Sequence, residues 1–191
     1  MKRILFKLTE TCYLGINDIS MHYNSLYTMK KFVDKYLDTN KQLKILEVGS
    51  LQTSPVNKDM IYKRYFRDNP KWKFVGMDIV AGTNVDIVSK DSYNYPFKDN
   101  SFDVVISGNT MEHIQDIYKW IKELERITKD LVCIIVPSTR PEHKYPFDCW
   151  RVFPDGMKFI MEEIAGLDVI ECKLTGLEDT IGVGKKRLNN I

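Results

Sequence analysis

Two short apolar runs of the sequence end in residues that suit a small-molecule site. Residues 43–48 carry Glu47 and are followed by Gly49 and Ser50, and residues 73–78 end in Asp78. A glycine lets the backbone approach a ligand where a side chain would block it. A carboxylate at the end of a strand can accept hydrogen bonds from a ribose diol. Each feature also has a plainer interpretation, since Gly49 can be an ordinary turn and Asp78 a helix cap or a loop carboxylate.

Two histidines are candidates for proton transfer, because the imidazole titrates near neutral pH without tuning. His113 follows an apolar run at residues 102–107, and His143 lies in the long segment after another run at residues 131–136. Either side chain can act as a general base on a hydroxyl acceptor. The alternatives are that His113 shapes a pocket without acid–base chemistry and that His143 belongs to a packed lid.

Residues 140–151 concentrate charged and aromatic side chains, whereas an inert loop is usually richer in Gly, Ser and Asn. We expect this loop to contact substrate, with Arg140 and Arg151 as clamps for a phosphate or carboxylate. Asp148 and Trp150 complete the candidate substrate-binding group. The alternative is a packed lid in which Trp150 is an anchor and Arg151 pairs with Asp148.

Residue spacing indicates no metal site. The three histidines are scattered and form no His-x-x-x-His pair, and the four cysteines form no Cys-x-x-Cys pair. We therefore expect no bound metal. Cys133 lies in an apolar run and is most simply a buried thiol, which favours a reducing, cytoplasmic setting.

These candidate residues need a scaffold, and the hydrophobic pattern indicates one in which strands and helices alternate. We predict helices over residues 20–38, 57–68, 112–128 and 154–165, the last with Pro154 in its first turn and Gly166 as its cap. We predict strands over residues 43–48, 73–78, 86–88, 102–107, 131–136, 167–172 and 180–185. This alternation predicts a parallel sheet covered on both faces, with ligands bound beyond the carboxyl ends of its strands.

Length and charge disfavour several classes of protein. A chain of 191 residues has the size of one domain, and 28 Lys and Arg against 26 Asp and Glu leave a net charge of +2. General nucleic-acid binders usually carry a strong basic excess, which this chain lacks. The apolar run near the start of the chain is too short for a signal peptide or a membrane span.

The order of five motifs resembles that of the class I S-adenosylmethionine-dependent methyltransferases, over about residues 20–185. The motifs are Leu46-Glu-Val-Gly-Ser50, Val75-Gly-Met-Asp78, residues 91–97, residues 99–105 and Met111-Glu-His113. The resemblance is closest to a small bacterial group associated with cell-surface glycan (polysaccharide) biosynthesis and natural-product pathways, which shares the segment 141–156. It implies one domain over residues 1–191, with a helical cap at 1–40 and a core at 41–191. It also implies an α/β, Rossmann-like fold, a seven-stranded, mostly parallel sheet flanked by helices, with the last strand antiparallel.

The resemblance implies S-adenosyl-L-methionine as the cofactor and assigns roles to residues near the first two strands. Glu47 would help to hold the first loop and the methionine amino group, with Gly49 and Ser50 beneath the methionine part. Asp78 would bind the ribose hydroxyls, and Ile79 would pack on the adenine ring.

Two further cofactor contacts are implied at the later strands. Asp91 would accept a hydrogen bond from the adenine amine, with the Ser92 backbone beside it, and Ser107 would lie near the amino-acid end. One departure concerns residues 49–55, which read Gly-Ser-Leu-Gln-Thr-Ser-Pro without the further glycines of many family members. The same departure weakens the alternative of a nicotinamide dinucleotide, whose pyrophosphate needs a Gly-x-Gly-x-x-Gly turn.

The acceptor side is less defined by the sequence. The resemblance implies methylation of a hydroxyl in a small molecule, a sugar or a phosphorylated glycan precursor, by a monomer or a homodimer. Tyr23 and Tyr27, on the helix before the first strand, are expected to contact the acceptor, with simple packing as the alternative. N-methylation of an amino sugar or amine stays open, as does a non-catalytic regulatory subunit. Nucleic-acid methylation is disfavoured, because Ser107-Gly-Asn-Thr110 stands where the Asn/Asp-Pro-Pro-aromatic signature would be.

Overall fold

The computed structural model describes residues 23–53, 61–176 and 178–187 of the chain. Seven strands run through it, and each was predicted from the hydrophobic pattern to within a few residues. They are β1 Leu43–Val48, β2 Trp72–Asp78, β3 Ile87–Val88, β4 Phe102–Gly108, β5 Thr128–Pro137, β6 Leu167–Thr175 and β7 Asp179–Lys186.

The seven strands form one sheet in the order β3-β2-β1-β4-β5-β7-β6. Neighbours from β3 to β5 run parallel, whereas β7 is antiparallel to both β5 and β6. The predicted fold class, a mostly parallel seven-stranded α/β sheet with the last strand antiparallel, is confirmed. The strand order reverses beside β1, and such a switch leaves a crevice at the carboxyl ends of the strands.

Helices cover both faces of the sheet, and successive residues of the central strands alternate between two cores. Ile45 of β1 packs towards α1, which occupies residues 23–36, while Leu46 packs towards α2, Ile117–Ile127. The α2 face also contains α3, Pro154–Phe159, and the π-helical turn Ile160–Ile164 that continues it. Burial on both faces explains why β1, β4 and β5 are almost continuously apolar.

One predicted helix begins later than expected. The apolar pattern predicted a start at residue 112, but α2 begins at Ile117 because the Asp116 side chain accepts the Lys119 N–H and caps the helix. Met111–His113 forms a separate 3-10 turn before it. This break turns residues 111–113 away from the helix axis and towards the ends of the strands.

The other helix predictions have mixed outcomes. The first helix is confirmed where it is described, at residues 23–36, and residues 20–22 of the prediction lie outside the described residues. The helix predicted over 57–68 is wrong where it is described, since that part contains only the 3-10 turn Tyr62–Tyr65, and residues 57–60 lie outside the described residues. Pro154 lies in the first turn of α3, and Gly166 follows the π-helical turn at φ +71°, both as predicted.

Within the described ranges, no helix has the length and apolar character needed to cross a bilayer.

Candidate functional site

A cleft of about 830 Å³ lies at the carboxyl ends of the parallel strands, and we refer to it as the strand-end cleft. Its size falls within the range of small-molecule and cofactor sites. Its floor comes from residues that follow β1, β2 and β4, and its outer wall from the loop after β5. Its lining includes Ser25, Leu26, Glu47, Gly49, Ser50, Asp78, Ile79, Ser92, Tyr93, Tyr95, Thr110, His113, His143, Lys144, Tyr145 and Phe147.

Glu47 lies near the carboxyl end of β1 and lines the cleft although its side chain is buried. Its carboxylate accepts a hydrogen bond from Asn84 Nδ2 at 3.0 Å. Burial raises the pKa of Glu47 to about 8, and the Asn84 bond offsets this effect in part. Asn84 itself has φ +72°, a conformation that asparagine tolerates better than most residues. The sequence analysis missed Asn84 because nothing in its local pattern distinguishes it from an ordinary loop residue.

Gly49 turns the chain directly after β1. Its φ of +77° favours glycine, and a Cβ at this position would lie 2.0 Å from Thr110 Oγ1, which belongs to the segment after β4. The N–H groups of Gly49 and Ser50 both donate to the Met77 carbonyl, so the turn is tied to β2. The missing Cβ of Gly49 thus leaves room for the Thr110 side chain and brings the ends of β1 and β4 together, while the predicted approach to a ligand stays a prediction.

Asp78 ends β2 and lines the cleft beside Ile79, whose side chain is 54% exposed. One carboxylate oxygen accepts the Leu51 N–H at 3.0 Å, and the other accepts the Val80 N–H at 3.1 Å. Each carboxylate oxygen has a second lone pair, so the side chain can still accept bonds from a ligand. The sequence-predicted residues Glu47, Gly49, Ser50, Asp78 and Ile79 thus share one cleft.

Two of the predicted cofactor contacts are not brought to the cleft. The Asp91 carboxylate accepts the N–H of Tyr93 at 2.7 Å, and Asp91 is not among the lining residues, whereas its neighbour Ser92 is. Ser107 is buried, and its hydroxyl donates to the Val48 carbonyl at 2.8 Å, which ties β4 to β1 inside the sheet. Tyr93 and Tyr95, which the sequence analysis did not select, line the cleft instead.

Both candidate histidines line the cleft and contact each other. The rings of His113 and His143 meet edge to face with centroids 5.1 Å apart. The loop after β5 is held there by two bonds, from His113 Nδ1 to the Phe147 carbonyl at 2.6 Å and from the Cys149 N–H to the Glu112 carbonyl at 2.7 Å.

Glu112 lies behind the two histidines and was missed by the sequence analysis. Its side chain is 0% exposed, and one carboxylate oxygen is 3.8 Å from His113 Nε2 and 3.7 Å from His143 Nε2. The nearby carboxylate raises the pKa of His143. The fold therefore places a buried acid and two histidines at one end of the cleft, a group that residue spacing did not indicate.

The predicted arginine clamp does not face the cleft. Arg140 is buried and its guanidinium makes a bidentate pair with Asp179, at 2.9 Å from Nε and 2.8 Å from Nη2. Arg151 pairs with Asp148 at 2.5 and 2.7 Å and donates to backbone carbonyls. Trp150 donates to the Ile114 carbonyl at 2.7 Å. None of these four side chains lines the cleft, so the packing alternative describes them, and the loop contributes His143 and residues 144–147 instead.

The N-terminal helix reaches the cleft through other residues than the two predicted tyrosines. Tyr23 and Tyr27 are about 60% exposed and do not line it, whereas Ser25 and Leu26 do. Tyr27 instead borders a separate depression between α1 and β6, with the Lys31 ammonium over its ring. The helix therefore borders the cleft with a small and an aliphatic side chain, and not with the two predicted tyrosines.

Residues 48–135, which extend from the end of β1 to the last residues of β5, match the family described as "Methyltransferase domain". These residues are therefore similar to a methyltransferase domain, and the match covers a little under half of the chain. The matched segment includes Gly49, Asp78 and His113.

A relative also matches part of this chain. A demethylmenaquinone methyltransferase from Staphylococcus saprophyticus is 31% identical over 81 residues, which cover 41% of this chain and 33% of the relative. The match thus spans about a third of that relative's length.

Solved structures share the fold of this chain at low sequence identity. An S-adenosylmethionine-dependent methyltransferase from Aquifex aeolicus superposes with a TM-score of 0.61 at 18% identity, covering 83% of this chain and 89% of that chain. The 1,6-didemethyltoxoflavin-N1-methyltransferase of Burkholderia thailandensis, solved with S-adenosylhomocysteine bound, has a TM-score of 0.65 at 12% identity and covers 98% and 89%. Together with the family match, these findings support the class of S-adenosylmethionine-dependent methyltransferases, with S-adenosylmethionine as cofactor.

Proposed function

We propose that this chain transfers the methyl group of S-adenosylmethionine to a hydroxyl of a small acceptor that binds in the strand-end cleft. The observation that carries the proposal is the convergence of Glu47, the Gly49–Ser50 turn and Asp78 on one cleft, with the turn and Asp78 inside the matched methyltransferase segment. Residues of suitable chemistry for each part of the cofactor therefore lie together.

The described residues fit the cofactor part by part. Asp78 has lone pairs left for the ribose hydroxyls, and the exposed side chain of Ile79 offers an apolar surface to adenine. The Gly49–Ser50 turn lines the cleft directly after β1, beside the space for the methionine part. Glu47, at the same end, supplies a carboxylate for the methionine amino group, and a cation there would favour its ionised form.

Methyl transfer to a hydroxyl is an in-line displacement at the methyl carbon of a sulfonium. Most of its catalysis can come from holding donor and acceptor in line, so the chain's task is mainly positioning. We place the acceptor beside His113 and His143, because they line the end of the cleft where the loop after β5 forms a wall. The exposed rings of Tyr145 and Phe147 extend that wall.

The charge of the cleft favours an uncharged acceptor, such as a sugar or another neutral alcohol. Among the described residues that line it, Lys144 is the one Lys or Arg side chain, and it lies 3.3 Å from Glu142. A phosphorylated acceptor would need a cationic clamp, and the guanidinium groups of Arg140 and Arg151 pair with acids outside the cleft. N-methylation of an amine is the second candidate, because the same wall accommodates a neutral amine.

We also propose a cytoplasmic setting, which the free thiols of Cys133, Cys149 and Cys172 support.

Calorimetric titration with S-adenosylhomocysteine tests the cofactor half of the proposal. We expect saturable binding that Asp78→Ala weakens by more than tenfold, because this change removes the acceptors for the ribose hydroxyls. Asp91→Asn is the matched control and should stay within about threefold of the wild type, since Asp91 is not among the described lining residues. No binding up to millimolar ligand, or loss of binding in Asp91→Asn alone, would overturn this assignment.

A transfer assay with S-adenosylmethionine labelled on its methyl group tests the acceptor half. We expect incorporation into neutral sugars or alcohols, and little into their phosphorylated forms. Incorporation into amines alone would favour the N-methylation alternative. Cofactor binding without transfer to any acceptor in a broad panel would favour a regulatory subunit.

A further inference from the structure

Three potential metal-binding side chains meet at the acceptor end of the strand-end cleft. One ligand atom from each of Glu112, His113 and His143 lies within 4.8 Å of the other two. Glu112 and His113 belong to the 3-10 turn after β4, and His143 comes from the loop after β5. The meeting point is therefore created by the packing of that loop against the turn.

The Glu112 carboxylate has no hydrogen-bond donor. Its side chain is 0% exposed, and neither oxygen receives a hydrogen bond from any residue that the structure describes. Burying a carboxylate without hydrogen bonds or a countercharge is costly, so this group needs a cation beside it. The distances of 3.7 and 3.8 Å to the two histidine nitrogens are too long for hydrogen bonds.

The tautomer of His113 leaves its Nε2 atom without a hydrogen and with a lone pair available. Its Nδ1 lies 2.6 Å from the Phe147 carbonyl oxygen, which can only accept, so Nδ1 carries the hydrogen. In the neutral ring the other nitrogen is then unprotonated, and it points to Glu112. A backbone carbonyl on the far ring nitrogen is the arrangement that orients a metal-binding histidine.

The surroundings of His143 favour the same tautomer. Its Nδ1 faces the Pro141 carbonyl at 3.4 Å and the Asp148 carboxylate at 3.7 Å, both of them acceptors. Arg151 Nη2 also lies at 3.4 Å, but its two hydrogens are committed to Pro141 and Asp148 at 2.7 Å each. The Nε2 of His143 is thus the ring nitrogen that faces Glu112.

We propose that Glu112, His113 and His143 bind one divalent transition-metal ion. A metal ion at the meeting point of these three groups would be held by two imidazole nitrogens and would supply the positive charge that favours the buried Glu112 carboxylate. Two imidazole nitrogens and one carboxylate oxygen suit Zn²⁺, Fe²⁺ or Co²⁺, whereas Mg²⁺ and Ca²⁺ prefer sites made of oxygen. An ion about 2.1 Å from each ligand in tetrahedral geometry would separate them by about 3.4 Å, a few tenths less than the distances to Glu112.

The remaining coordination positions of such an ion face the acceptor end of the cleft, because both histidines line it. A metal ion there would act as a Lewis acid on a bound hydroxyl and lower its pKa. This role rests on the proposed function, whereas metal binding itself does not.

The test is metal binding by untagged protein that has been stripped with EDTA. We expect one equivalent of Zn²⁺ with a Kd of about 1 µM or tighter, and one equivalent of Co²⁺ with visible absorption bands. Glu112→Gln and His143→Ala should each weaken metal binding by at least about tenfold. A loss of about tenfold already results when a residue that only hydrogen-bonds to a metal ligand is changed, so removing a ligand should cost at least as much. His22→Ala, which removes the other histidine of the sequence, and Cys149→Ser, which removes an exposed thiol, are the matched controls and should bind like the wild type.

Two results would overturn the site: no stoichiometric Zn²⁺ or Co²⁺ binding up to millimolar metal, or unchanged binding in both Glu112→Gln and His143→Ala. Should Glu112→Gln fail to fold, His113→Ala and His143→Ala carry the test. Titration of every variant with S-adenosylhomocysteine in EDTA serves as the folding check. Cofactor binding without metal binding would reject the metal site alone, and metal binding without cofactor binding would reject the proposed function alone.

Discussion

The side-chain amide of Asn84 joins Glu47 to the turn that follows it. Asn84 Nδ2 donates to a Glu47 carboxylate oxygen at 3.0 Å and to the Ser50 carbonyl at 2.9 Å. One amide group thus holds a buried carboxyl and the backbone turn at the end of β1. A neutral donor only partly offsets the cost of burying a charge, which is why the pKa of Glu47 stays raised, at about 8.

This relationship predicts a pH dependence of stability that Glu47→Gln should abolish. The folded protein holds the Glu47 proton up to about pH 8, whereas the unfolded chain releases it near 4.5. Stability from this group is therefore fully present below about pH 4.5 and is lost as the pH rises to about 8, by at most about 1.4 kcal/mol per pH unit. Chemical denaturation of the cofactor-free protein between pH 5 and 9 measures the effect.

The difference between wild type and variant isolates Glu47 from other titrating groups. Asp68→Asn, at a carboxylate that is 88% exposed, is the control and should follow the wild-type pH profile. Identical profiles for wild type and Glu47→Gln would contradict the raised pKa. We also expect Glu47→Gln to weaken S-adenosylhomocysteine binding, because the carboxylate for the methionine amino group is lost.

Gly49→Ala should cost more stability than the same change at Gly166. Both glycines have positive φ, +77° and +71°, so both changes carry the strain of a left-handed alanine, about 1–2 kcal/mol. At Gly166 a Cβ meets nothing within 4 Å, whereas at Gly49 it would lie 2.0 Å from Thr110 Oγ1. The free energy of unfolding from denaturant titration measures the difference.

The contact with Thr110 can be tested separately. Thr110→Ala removes the Oγ1 atom, so we expect the double variant Gly49→Ala/Thr110→Ala to recover part of the stability lost in Gly49→Ala. Equal losses at Gly49 and Gly166 would show that strain alone decides the cost and that the approach of the two turns is unimportant.

Arg140→Ala should act on stability and leave cofactor affinity unchanged. Removing the guanidinium strands the buried Asp179 carboxylate, and breaking a buried pair in this way typically costs about 3–5 kcal/mol. Arg187→Ala is the control, because its pair with Asp168 is exposed to solvent and should contribute little to stability. Denaturation measures both losses.

Arg140→Lys provides a milder variant if Arg140→Ala does not fold. It keeps the charge but loses the bidentate geometry, so an intermediate loss is expected. A stable Arg140→Ala protein would contradict the structural role. A fall in acceptor affinity with stability preserved would restore the predicted substrate clamp.

Much of the scaffold followed from local pattern. The apolar runs at β1, β4 and β5 were predictable because both of their faces are buried. The start of α2 was not, since Ile114 fits the helical period and the capping by Asp116 decides the boundary. The period of the apolar residues indicates which face of a helix is buried, but it does not indicate the residue at which the helix begins.

By itself, the sequence determined the alternation of strands and helices and the presence of Glu47, Gly49 and Asp78 at strand ends, because each depends on a few neighbouring residues. Tertiary structure alone decided the partners of distant residues. It committed Arg140 to Asp179 and turned Asp91 away from the cleft. It also brought His143 to Glu112. The physical reason is that strand order and loop path arise from the packing of remote segments, and no local spacing records which side chains they bring together.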